Sequence, residues 1–299
     1  MRFITFDKNG VETVGVRLGS DLVDLSLADA RLPRTLVGLI QNDLLKRAGE
    51  VAQKAPASAH RSLEGLKYLP VIPHPPKFFG IGTNYPSHAG PVQAARGEKV
   101  GKADNPRYFA IGSEPFAAHN EPLQVPRAMP TFDYEVELVF VFGKRAKHVK
   151  EKDFLPYVAG YTVFNDGSIR GWQAIDLVLG KGSDKTKPMG PEFVTADELP
   201  PGGDGLNIML RRNGKLTQND NTKSMYRKVP EIVELLTSFI TFNPGDCVTT
   251  GTTAGTIADT HPKYDPKDTT LPWLKAGEVI ETEIEGIGML RNPIIDEPV

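Results

Sequence analysis

The chain has a single cysteine, Cys247, among its 299 residues. One thiol cannot close an internal disulfide, so nothing here argues for secretion. Long apolar runs are also missing, and no stretch approaches the roughly 18 residues that a membrane span needs. The opening Met1-Arg2-Phe3-Ile4-Thr5-Phe6-Asp7 breaks into charge too early for a signal peptide, so a cytoplasmic protein is expected. Charge of one sign is lacking too: 35 Lys and Arg stand against 37 Asp and Glu, a formal net charge of -2. No strong field draws this surface to nucleic acid or an anionic membrane. A small-molecule partner is the expectation that remains.

Glycine (29) and proline (25) are plentiful, and they punctuate many short apolar runs. That pattern implies a β-rich α+β chain with long loops. Phe3 to Phe6 and Glu12 to Val16 predict a hairpin across Asn9-Gly10. Apolar spacing at Leu36, Leu39, Ile40, Leu44 and Leu45 predicts a helix within Thr35 to Val51. A proline-rich joint, Pro70 to Pro76, sets the predicted division into a small N-terminal α/β domain, 1–72, and a larger domain, 73–299. Residues 86–106 are polar, Gly-rich and short of large apolar groups, which predicts a long loop that could cover a site. Pro230 opens an amphipathic helix with Ile232, Val233, Leu236 and Phe239 on one side. Strands are expected at Phe78 to Ile81, Val158 to Phe164, Cys247 to Thr250 and Val279 to Ile284.

The clearest strand runs from Phe132 to Phe142. Its even positions, from Tyr134 to Phe142, are all apolar. Glu135 and Glu137 share the other face, about 7 Å apart from the strand rise. Val139 and Val141 continue that face, so the two carboxylates approach a core. There they repel each other and lose hydration, and a divalent cation removes both penalties. Asp166, at the end of another strand, offers a third oxygen. Three carboxylates with no thiolate or imidazole cluster suit a hard ion: magnesium first, manganese or calcium as substitutes, zinc poorly. Spacing by itself also allows a solvated strand face.

At this point the sequence resembles the fumarylacetoacetate hydrolase family, through six motifs in order between Lys77 and about Asn292. Gly80 to Tyr85 with His88 is similar to the family's opening segment. Asp133-Tyr134-Glu135-Val136-Glu137-Leu138 is similar to its metal-binding strand. Gly160 to Asp166 resembles the strand with the third ligand, and Arg170, Trp172 and Gln173 continue it. Lys181 to Pro191, Gly245 to Thr252 and Glu285 to Asn292 supply the remaining three. The resemblance implies a mixed β-roll or flattened barrel, a homodimer, and a metal held by Glu135, Glu137 and Asp166. It implies His88 as general base and Lys181 as the charge beside a developing oxyanion. Tyr85, Arg107, Gln173 and Thr252 are the expected substrate contacts.

The expected activity is metal-dependent hydrolysis of a carbon–carbon bond in a small 1,3-dicarbonyl or acylpyruvate acid. A lyase, decarboxylase, hydratase or tautomerase of a 2-oxo acid would use the same site, and a non-catalytic binding protein is the third reading. Four departures from the family pattern bear on the choice. The glutamate that often follows the lid histidine is replaced by Pro91, and the nearest acid downstream in that segment is Glu98. A lysine common after Phe109 is missing, and Arg107 could grip a carboxylate instead. Thr253 replaces a proline. Residues 182–187, Gly-Ser-Asp-Lys-Thr-Lys, are unusually basic. The metal ligands are spared.

Overall fold

The computed structural model describes residues 1–95, 97–104, 106–112, 116–261 and 265–299. Strands β1 (Arg2–Lys8) and β2 (Val11–Leu18) form the expected hairpin, with Asn9 and Gly10 both at positive φ, 58° and 81°. That is the geometry a tight two-residue hairpin needs. β3 (Asp21–Asp24) and α1 (Leu25–Ala28) follow. The single helix expected over 35–51 is two, α2 (Leu36–Gln41) and α3 (Leu45–Gln53). Asp43 adopts φ 55° between them, which a continuous helix does not allow. β4 (His60–Ser62) and β5 (Phe78–Ile81) then lead to the segment expected to be a loop.

Much of that segment is helix instead: α4 covers Pro86–Ala95. Its alanines are strong helix formers, a preference that a search for large apolar residues misses. Pro91 lies inside the helix without ending it. Residues 96 and 105 of the expected loop lie outside the described residues.

Next come β6 (Tyr108–Ala110), β7 (Leu123–Val125) and β8 (Phe132–Asp133). β9 starts after a two-residue break and spans Val136–Phe142. The break has a specific cause. The amides of Tyr134, Glu135 and Val136 donate to the side chains of Asp133, Asn165 and Gln218 rather than to a neighbouring strand. β10 (Val158–Asn165), β11 (Ser168–Ile169), α5 (Arg170–Gln173), α6 (Leu177–Gly180) and β12 (Met189–Thr195) follow. The chain closes with β13 (Asn207–Arg212), β14 (Lys215–Asn221), α7 (Val229–Phe239), β15 (Cys247–Thr252), α8 (Ile257–Thr260), β16 (Val279–Ile284) and β17 (Gly288–Asp296). Phe239, expected on the apolar side of α7, is 58% exposed.

Ten strands form one sheet in the order β4-β3-β2-β1-β12-β10-β9-β15-β5-β6, and five form a second, β14-β13-β16-β17-β7. β15 runs parallel to β5, and β17 parallel to β7. The mostly β, α+β class is as expected, with open mixed sheets rather than a closed barrel among the described residues. β9 sits inside the large sheet and is buried along its whole length. Val136, Leu138, Phe140 and Phe142 pack into one core; Val139 and Val141 pack into another, which also holds Phe3, Val14 and Leu39 from the N-terminal segment. A strand buried on both faces can set two carboxylates rigidly at its end. No helix among the described residues is long and apolar enough to cross a membrane.

Candidate active site

Glu135 and Glu137 lie where β9 begins, and Asp166 follows the end of β10. The two strand ends are tied together by the Asp166 amide, which donates to the Glu135 carbonyl at 2.8 Å. One carboxylate oxygen from each residue lies within 4.8 Å of the other two, and all three side chains are buried.

Lys181 enters from the end of α6. Its ammonium donates to Glu135 Oε2 and Asp166 Oδ2, each at 2.6 Å, and to Ser168 Oγ at 2.7 Å. Arg170 Nη2 holds the other Glu135 oxygen at 2.7 Å and Asp133 Oδ2 at 2.8 Å. Glu137 instead accepts from the Thr249 hydroxyl and from the Gly251 amide, the latter at 3.2 Å. Gly251 has φ +87°, and a Cβ there would meet the Ile81 carbonyl at 2.9 Å. Glycine is therefore required where a register shift in β15 turns this amide onto Glu137.

These contacts divide the carboxylates. Burial would raise Glu135, but the charges of Lys181, Arg170 and His88 outweigh it and hold it down at about 2. Glu137 is pushed well above its ordinary value by burial and by the charges of Asp166 and Glu135. Asp166 is raised as well, because burial and Glu135 outweigh Lys181. Burial works against the Lys181 ammonium, yet Asp166 and Glu135 overcome it and raise its value. Asp166 Oδ1 is buried with no hydrogen-bond partner. Three converging buried carboxylates, one with an unpartnered oxygen and two that resist ionising alone, fit a hard divalent ion.

A cavity of about 830 Å³ opens over this cluster, lined by His88, Glu135, Glu137, Arg170, Lys181 and Asp259 among others. His88 projects from α4 with a side chain 10% exposed. Its Nδ1 lies 2.9 Å from both carboxylate oxygens of Asp259. Asp259 belongs to the short helix α8, where it forms a capping box with Thr256. Asp133 anchors the same helix by accepting from the Ile257 and Ala258 amides at 2.8 and 3.1 Å.

The segment from 77 to 295 matches the family described as "Fumarylacetoacetate (FAA) hydrolase C-terminal". The chain belongs to the fumarylacetoacetate hydrolase family. It is 31% identical over 305 residues to the mitochondrial oxaloacetate tautomerase of Xenopus laevis, covering 99% of this chain and 90% of that protein. Among solved structures, the fumarylacetoacetate hydrolase of Exiguobacterium antarcticum superposes with a TM-score of 0.81 at 24% identity, covering 99% of this chain and 100% of that one. The maleylpyruvate hydrolase of Sphingobium, solved with manganese(II) and pyruvate, gives 0.78 at 22% identity with full coverage of both chains. At those identities the two structures speak for the fold.

Within this family member, the other expected site residues fall into two groups. Arg107, Gln173 and Thr252 line the cavity. Gln173 Oε1 accepts from Arg170 at 2.7 Å, and the Thr252 hydroxyl donates to the Val136 carbonyl at 2.9 Å. Tyr85 is fully buried and lies outside the cavity lining. Its carbonyl accepts the His88 and Ala89 amides and so starts α4. Asp259 was not expected. The Thr256-x-x-Asp259 pattern just after the β15 motif signals a helix start, but nothing local pairs it with His88. Asp133 was expected on the strand, without its two anchoring roles.

Proposed function

We propose that this protein interconverts the keto and enol forms of a small 2-oxo acid, with a divalent ion held by Glu135, Glu137 and Asp166. One observation carries the reading: the His88–Asp259 pair and the Lys181-bridged carboxylates face the same cavity. A bound magnesium or manganese ion would supply Lewis acidity toward the carbonyl and carboxylate oxygens of the substrate.

The chain's own residues do the rest. Asp259 takes Nδ1 of His88, which leaves Nε2 to accept the proton from the carbon beside the carbonyl. Asp259 also steadies the imidazolium that results. The Lys181 ammonium offsets the negative charge that gathers on the carbonyl oxygen. Protonation of that oxygen gives the enol; return of the proton to carbon restores the ketone. Arg170 keeps Glu135 in place and ionised throughout.

The name of the Xenopus laevis relative supports oxaloacetate as the first substrate to try. Hydrolysis of an acylpyruvate is the second reading, since the same His88–Asp259 pair is compatible with activating water.

The test follows the enol absorbance of oxaloacetate with magnesium, with a chelator, and with His88→Ala. The expected outcome is rapid loss of enol signal that needs both metal and His88, without release of carbon dioxide. A rate equal to that in buffer overturns the proposal. Release of two acids from an acylpyruvate moves the assignment to the hydrolase.

A further inference from the structure

Among the described residues, four basic side chains line the cavity: His88, Arg107, Arg170 and Lys181. Three are engaged by groups set in the protein frame. Asp259 holds His88; Asp133, Glu135 and Gln173 hold Arg170; Glu135, Asp166 and Ser168 hold Lys181. Arg107 differs. Its Nη2 meets Glu98 Oε1 at 2.7 Å, and both side chains are open to water, 56% and 38% exposed.

The place of Arg107 is fixed by its backbone, since its carbonyl accepts the Gly82 amide at 2.8 Å. It directly precedes β6. Two residues on, the Phe109 ring lies 5.6 Å from Lys181 Nζ. Residues two apart in extended chain share a face, about 7 Å apart. Arg107 thus stands two residues along the chain from the ring that meets Lys181, and both residues line the same cavity.

Glu98 sits on the segment that follows α4. That segment is folded back on itself: the Glu98 amide donates to the Gln93 carbonyl at 2.9 Å, and the Gln93 side chain bonds both backbone groups of Gly101. The acid is therefore presented to Arg107 from the same segment that carries His88.

We infer that Arg107 reads the distal carboxylate of a 2-oxo dicarboxylic acid, and that Glu98 holds that position until substrate displaces it. The inference rests on the proposed function and names its substrate class. An exposed ion pair contributes little. A substrate carboxylate already tethered at its other end competes at high effective concentration. Exchange of Glu98 for substrate then links occupancy of the cavity to the position of α4.

The experiment is calorimetric titration of the magnesium-loaded full chain with 2-oxoglutarate and with 2-oxopentanoate, equal in length and differing in the distal carboxylate. Wild type is expected to bind the diacid about tenfold more tightly, the scale of one charge-assisted contact. Arg107→Gln is expected to erase that preference and leave the monoacid unchanged. Glu98→Gln is expected to tighten the diacid alone. A preference that survives Arg107→Gln, or is absent from wild type, overturns the inference and leaves the proposed function standing. No binding of either acid overturns the inference, and the enol-exchange assay on oxaloacetate decides the proposed function separately. Unchanged diacid affinity in Glu98→Gln removes Glu98 from the account.

Discussion

His88 and Asp259 meet at 2.9 Å from positions 171 residues apart, one on α4 and the other in the capping box of α8. The pair supplies the carboxylate partner that Pro91 leaves out of the lid segment. It also makes the histidine's orientation depend on a helix of four residues. Asp259→Asn preserves size and most of the capping geometry while removing the charge. It is expected to lower kcat by about 100-fold, the scale of a positioned general base, with little change in KM. Steady-state enol exchange at several pH values checks this, and a wild-type kcat in the variant removes Asp259 from the mechanism.

Metal binding is expected to raise thermal stability, because an ion that binds only the folded chain stabilises it by mass action. Scanning calorimetry with added magnesium or manganese should show a rising Tm that a chelator reverses. Glu137→Gln removes one proposed ligand and is expected to abolish the response. An unchanged Tm response in Glu137→Gln contradicts the assigned site.

Asp133 couples the two halves of the site. It pairs with Arg170, which holds Glu135, and it anchors the α8 amides that present Asp259. Asp133→Ala leaves a buried guanidinium short of one partner and three amides, those of Tyr134, Ile257 and Ala258, without their acceptor. The expected cost is about 3 kcal/mol in urea unfolding, with reduced activity in the fraction that remains folded. Stability within 1 kcal/mol of wild type, roughly the scale of an ordinary surface change, would show that Arg170 and α8 are held by other groups.

Lys187 is 2% exposed, and Thr186 Oγ1 at 3.3 Å is its hydrogen-bond partner among the described residues. Burial pushes its ammonium down to about 8. The folded value lies below the unfolded one, so the unfolded chain holds more protons between about 8 and 10.5 and stability rises with pH across that window. Below it the buried charge costs up to about 3 kcal/mol. Lys187→Met is therefore expected to be more stable than wild type near neutrality, with the gap closing as pH approaches 10. Urea midpoints at pH 7, 8.5 and 10 measure this; a constant gap would assign the effect to packing alone.

Much of this protein is written locally in its sequence. Asn9-Gly10 determines a hairpin, since few residues tolerate two successive positive φ angles. The alternation from Tyr134 to Phe142 determines the buried strand and places Glu135 and Glu137 on one face. The ordered motifs point to the family, and that resemblance implies a shared site for Asp166, His88 and Lys181. Tertiary structure decided what periodicity does not encode. The break before β9 comes from Asn165 and Gln218, distant side chains that take the amides of Glu135 and Val136. The partner of His88, the bridging position of Lys181 and the burial of Lys187 are likewise contacts between residues far apart in the chain. Short-range spacing constrains which face a side chain occupies; which charge it meets there depends on how separate strands and helices pack.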